Sequence, residues 1–187
     1  MSACLRFGML LAVFLGGCAS PSIDVPSARR LSECFVRIDQ LAMEAGWKPL
    51  RSAALPAGAL EVRIWNVPAL GPTSGIALER NGPAWSGCRA TESFKKGAMP
   101  KVRTVAPRSG WNEFWAKVER LGILTLPDSS TLGEEVKFYD GGTTVVEIKR
   151  GNKYRVYHYY CAESQTWPEA RQMAKIEEVV YAEFDKP

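Results

Sequence analysis

Residues 136–160 read VKFYDGGTTVVEIKRGNKYRVYHYY. β-Branched and aromatic residues dominate this stretch, as they do in strands. Asp140-Gly141-Gly142 and Gly151-Asn152 interrupt it with residues that tolerate the positive φ of a tight hairpin turn. The stretch therefore predicts three antiparallel strands joined by two short turns. With Gly151-Asn152 as the second turn, Val145 stands opposite His158. Both faces of this last hairpin mix polar and apolar residues, so alternation leaves open which face is buried.

The upstream chain supplies the other strands. GALEVRIWNVP (58–68) alternates Leu60, Val62 and Ile64 with Glu61 and Arg63, the pattern of a half-buried strand ending at Pro68. SGIALERNG (74–82) reads as a second strand closed by Asn81-Gly82. AWSGCRATESF (84–94) and PKVRTVAP (100–107) read as two more around a glycine-containing loop.

Three segments have the helical period instead. In 31–46, Leu31, Cys34, Phe35, Ile38, Leu41, Ala42 and Ala45 share one face, and Gly46 is a natural stop. In 109–122, Trp111, Phe114, Trp115, Val118 and Leu121 share a face that Gly122 ends. In 166–184, Thr166 and Glu169 match a capping box with Pro168 in the first turn, and Ala170, Met173, Ile176, Val180 and Phe184 face inward. The prediction is an α+β domain over 31–187, a mostly antiparallel sheet with about three helices packed on it. The chain has 187 residues, 46% hydrophobic and 24% charged, which suits one domain with a real core.

The N-terminus has another character. After Arg6, residues 7–17 are apolar or glycine. The run is shorter than the ~20 residues of a membrane-spanning helix and has the pattern of a secretory signal. It ends in LGGC (15–18), which resembles the lipobox of bacterial lipoproteins: an aliphatic residue, two small residues, then cysteine. The resemblance implies a signal peptide over 1–17, fatty acylation at Cys18 and a flexible tether over 18–30. Ala19 follows the cysteine. In enteric-type bacteria an Asp there tends to retain lipoproteins in the inner membrane, so the resemblance implies the outer membrane, facing the periplasm. The alternative is an ordinary signal-peptidase cut after Ala19, which yields a soluble periplasmic protein beginning at Ser20.

Removal of 1–17 takes Arg6 from 24 basic residues and none from 20 acidic ones, leaving a net charge of +3. So mild a balance does not suggest nucleic acid. Cys34, Cys88 and Cys161 remain, and an oxidising compartment permits one bridge among them. Chain entropy does not separate the pairings 34–88 and 88–161. Loop or strand-end placement favours Cys88–Cys161, with Cys34 a buried helix residue.

Catalytic signals are weak. His158, between Tyr157 and Tyr159, is the one histidine and reads as a structural sheet residue. No GxSxG elbow, zinc-ligand spacing, calcium loop, Walker motif or dinucleotide motif is present. The carboxylate pairs Glu134-Glu135 and Glu177-Glu178 read as solvated surface, because neighbours on a strand or helix diverge. No metal or cofactor is expected.

Two features point to binding. Lys95, Lys96, Lys101, Arg103 and Arg108 form a basic stretch without an acidic residue among them, suited to an anionic partner or to guarding an edge strand. Of six tryptophans, Trp65 and Trp85 lie near turns and are candidate contact residues. The expectation is a non-catalytic envelope lipoprotein that binds another envelope protein as adaptor, inhibitor or immunity-type protein. Alternatives are a cell-wall or glycan-binding module and an envelope hydrolase.

Overall fold

The computed structural model describes residues 27–95, 97–133, 135, 136 and 140–185. Along them run α1 (Ser27–Glu44), β1 (Leu60–Pro68), β2 (Ser74–Asn81), β3 (Ala84–Thr91), β4 (Lys101–Thr104), α2 (Trp111–Arg120), β5 (Gly142–Arg150), β6 (Lys153–Tyr160) and α3 (Pro168–Phe184). The strands form one antiparallel sheet in the order β4-β3-β2-β1-β5-β6. This is the predicted α+β class.

Among its described residues, the 136–160 stretch holds the second and third of the three predicted strands, β5 and β6. Gly151 adopts φ 53° at the β5–β6 turn, and Val145 pairs with His158 as expected. At the other end Gly142 is already in β5, paired with Pro68. Val136 stands outside any strand, its N–H bonded to Gln165 Oε1 at 2.9 Å. The remainder of the predicted first strand, 137–139, lies outside the described residues. Gly141 serves close approach here, since a Cβ on it would overlap Cys161 Sγ and the Tyr160 ring.

Alternation gives the sheet two buried faces. On one, Leu60, Val62, Ile64, Val146, Ile148, Tyr157 and Tyr159 pack under α2 and α3 with Phe114, Val118, Met173 and Ile176. On the other, Trp65, Val67, Ala90 and Val145 pack under α1 against Cys34, Ile38, Leu41 and Ala42. Glu61 and Arg63, the expected polar side of β1, are therefore buried. They survive burial by pairing: Arg63 Nε donates to Glu61 Oε1 at 2.6 Å and Nη1 to Lys48 O at 2.8 Å. Burial pushes the Glu61 carboxyl up, and Arg63 opposes it.

Helix ends correct two boundaries. α1 begins at Ser27, so residues 27–30 belong to the helix and not to a tether. Arg30 pairs with Glu135 and lies 4.2 Å from the Tyr160 ring centre. The N-cap of α3 is Trp167 and not Thr166, with no side-chain cap bond, so the capping box does not form. Pro168 holds Trp167 extended (φ −70°, ψ 143°) and starts the helix itself.

Candidate functional site

The two sheet edges are treated differently. Cys161 N donates to Gly142 O at 2.9 Å, so by ladder alternation the backbone groups of His158 and Tyr160 point away from β5. Both are covered. Asp128 Oδ2 accepts from His158 N at 3.0 Å, and Gln165 Nε2 donates to Tyr160 O at 3.0 Å. Tyr157 and Tyr159 hydroxyls donate to Ile123 O and Pro127 O, tying the 121–132 segment across this edge.

At the opposite edge, Val105 N donates to Gly87 O at 2.9 Å. The same alternation turns the N–H and C=O of Val102 and Thr104 outward from β3. All four residues of β4 are exposed. Phe94 and Met99, in the connection before β4, are exposed at 87% and 72%. Lys95, Lys101 and Arg103, all exposed, add positive charge to the same segment. Among the described residues no further strand pairs with this edge, which leaves a short open strand with apolar and cationic residues in the same segment.

Beside this edge a cleft of about 230 Å³ runs between α3 and the sheet. Ile64, Ile76 and Val180 make its apolar walls, while Asn66, Ser74, Thr144 and Glu177 bring polar groups into it. A second hollow of about 330 Å³ adjoins it, sharing Ser74, Arg89 and Asp185 and lined also by Lys101 and Arg103. Arg89 is paired with Asp185, and Arg103 Nη2 lies 3.8 Å from the same carboxylate. Tyr181, 60% exposed, stands at the rim. Burial pushes the Glu177 carboxyl up, and the Thr144 hydroxyl opposes this.

No family model, no curated protein and no solved structure matches this chain. The residues themselves therefore carry the functional argument.

Of the predicted contact residues, Lys101 and Arg103 come together with Arg89 on one face of the sheet. Lys95 is exposed in the adjoining connection, and Lys96 lies outside the described residues. Trp65 is a correction: it is 0% exposed, because the second sheet face is covered by α1. Trp85 is half-buried and stacks on Trp111 at 5.6 Å, so it belongs to the margin of the core. None of the six tryptophans is exposed; Trp65 and Tyr181 both line the cleft, and of the two only Tyr181 is exposed.

The expected Cys88–Cys161 bridge is also overturned. All three cysteines are free thiols. Cys88 is on β3 and Cys161 follows β6, four strand spacings away, or about 19 Å. A disulfide needs Cα atoms within roughly 7 Å. Cys34 is the buried helix residue expected, and burial pushes its thiol and that of Cys161 up.

His158 has an acid beside it that the sequence did not place. Asp128 Oδ2 lies 2.8 Å from His158 Nδ1, and Asp128 Oδ1 accepts from Ser130 N at 3.0 Å and Ser130 Oγ at 2.5 Å. The imidazole is 1% exposed. The arrangement pins the 121–132 segment to β6. Among the described residues no group of three or more His, Cys, Asp or Glu side chains is placed to hold a metal ion.

Sequence reasoning missed Glu177. Read as half of a solvated pair, it is half-buried against Thr144, while Glu178 is exposed. Its i+4 spacing from Met173 was the available signal, since it sets Glu177 at the margin of the buried stripe. Asn66, Ser74 and Arg89 carried no signal, because only the sheet register brings them together.

Proposed function

We propose that this chain is an envelope lipoprotein with a non-catalytic binding role. Its partner is another envelope protein, which adds an extended acidic segment to β4. The single observation that carries this reading is the open edge: outward N–H and C=O groups on Val102 and Thr104, bordered by exposed Phe94 and Met99. Strand addition draws affinity from such main-chain groups and specificity from the flanking side chains. Lys95, Lys101 and Arg103 select for negative charge and speed encounter.

The lipobox-like LGGC at 15–18, outside the described residues, supports an anchor on Cys18. Eight residues separate Cys18 from the start of α1 at Ser27. Fully extended they span at most about 28 Å. An anchored domain therefore works close to the membrane surface, where its partner must also lie.

A photo-crosslinking residue at Val102, in the protein as its own cells make it, tests the reading. The expected result is one discrete protein adduct whose attached peptide is acidic. The adduct is lost in the Lys101→Glu/Arg103→Glu double variant and absent when the probe sits at exposed Met43 on α1. An adduct pattern shared by positions 102 and 43, or none at 102, overturns the reading. Intact mass tests the anchor: a chain starting at Cys18 with lipid is expected, and a bare chain starting at Ser20 removes it.

A further inference from the structure

We propose that the cleft between α3 and the β1–β4 side of the sheet is a binding site for an anionic saccharide, a pyranose that carries a carboxylate. Together the two adjoining hollows, which share Ser74, Arg89 and Asp185, fall in the ~300–1,000 Å³ typical of small-molecule sites. Their chemistry is graded from one end to the other. The inner end offers Asn66, Ser74 and Glu177. An amide and a hydroxyl each donate and accept, which is what a row of sugar hydroxyls requires. The Glu177 carboxyl, pushed up by burial and opposed by the Thr144 hydroxyl, adds acceptor oxygens at the same end. At the rim Tyr181 exposes an aromatic body to the apolar C–H face of a ring.

The outer end is cationic. Asp185 engages Arg89 and also lies 3.8 Å from Arg103 Nη2, so the two arginines outnumber their one carboxylate, and exposed Lys101 adds a further positive charge for a ligand. A ligand carboxylate placed there would complete a charge-assisted contact while its ring occupied the inner hollow. This site shares the Lys101 and Arg103 side chains with strand addition at β4 but not the backbone groups that addition uses. Lys101 and Arg103 pair with Thr91 and Arg89 and share their face, whereas edge pairing uses the backbone of Val102 and Thr104.

Calorimetric titration of the protein, purified from its membranes in mild detergent, tests the site. The probes are N-acetylmuramic acid and N-acetylglucosamine, which share a ring and differ in a lactyl carboxylate. The acid is expected to bind at least tenfold tighter. Tyr181→Ala is expected to weaken the acid at least fivefold, and Lys101→Glu/Arg103→Glu to erase the preference between the two sugars. Val102→Pro is expected to leave the titration unchanged, which separates this site from the β4 edge. Cosedimentation with purified cell-wall sacculi, lost in the same double variant, would assign the saccharide to the polymer; binding of the free sugar without cosedimentation would assign it to a soluble one. No saturable heat, equal affinity for the two sugars, or lactate binding as tightly as the acid overturns the proposal.

Discussion

Trp65 Nε1 donates a 2.7 Å hydrogen bond to Glu147 Oε2 across the β1–β5 pair. The other oxygen, Oε1, accepts from the Tyr154 hydroxyl at 2.8 Å. A carboxylate 2% exposed is thus held by two aromatic donors, both reaching it from neighbouring strands. Buried charge is tolerable only when its hydrogen bonds are made, and here they are.

Removing one donor should expose that dependence. Trp65→Phe leaves Glu147 Oε2 without its indole partner and is expected to cost about 1–3 kcal/mol, beyond the loss of packing. Urea unfolding of the variant beside Trp85→Phe measures it. Trp85 is only half-buried at the margin of the core, so its variant is expected to lose less. Equal losses would mean that the Trp65–Glu147 bond contributes nothing.

The Asp128 contact makes stability depend on acid. Burial by itself would raise this carboxyl, but hydrogen bonds from His158 and Ser130 outweigh it and hold the group at about 2. In the unfolded chain it titrates near 3.8. A depressed carboxyl contributes stability that is present above the unfolded value and lost as pH falls through the folded one. The loss belongs between about pH 4 and pH 2 and amounts to about 2 kcal/mol at one pKa unit per ~1.4 kcal/mol. Asp128→Asn should flatten that part of the stability–pH curve, measured by denaturant midpoints. An unchanged slope would place the acid sensitivity elsewhere.

Strand β4 offers a substitution that separates folding from binding. The Val102 N–H points away from β3, so Val102→Pro removes no ladder bond within the sheet. Its melting temperature is expected to fall by no more than a few degrees. Its crosslinked partner adduct, read with the probe at Met99, is expected to disappear. A variant that keeps the adduct would show that main-chain pairing is not the contact.

The thiols give a direct chemical reading. Alkylation of the denatured, unreduced domain should modify Cys34, Cys88 and Cys161 alike, since all are free. In the native protein Cys88, half-buried, should react first, while buried Cys34 and Cys161 lag by at least tenfold. Two unreactive thiols after denaturation would establish a bridge that this fold does not contain.

Much of the secondary structure was legible because it rests on local pattern. The α2 and α3 stripes, the Gly46 and Gly122 stops and the Val145–His158 register all follow from spacing and turn chemistry. Gly46 and Gly122 take φ 75° and 90°, where other residues are strained. The candidate site was half legible. Lys101 and Arg103 announced themselves as charge on a short strand. Glu177 did not, because a carboxylate beside a buried stripe looks the same in sequence whether or not a neighbouring element covers it.

By itself, the sequence determined the fold class of this protein and most of its strand and helix segments, and it carries a lipobox-like start. These depend on period, turn residues and short motifs, all of which act over a few residues. Only the tertiary structure decided the rest. It put α1 on the second face of the sheet, which buried Trp65, Glu61 and Arg63 and cancelled the expected polar side of β1. It set four strand spacings between Cys88 and Cys161, closed one sheet edge with Asp128 and left the other at Val102 open. Burial, pairing across the sheet and edge exposure arise between segments far apart in the chain. No local pattern encodes which segment will cover which face.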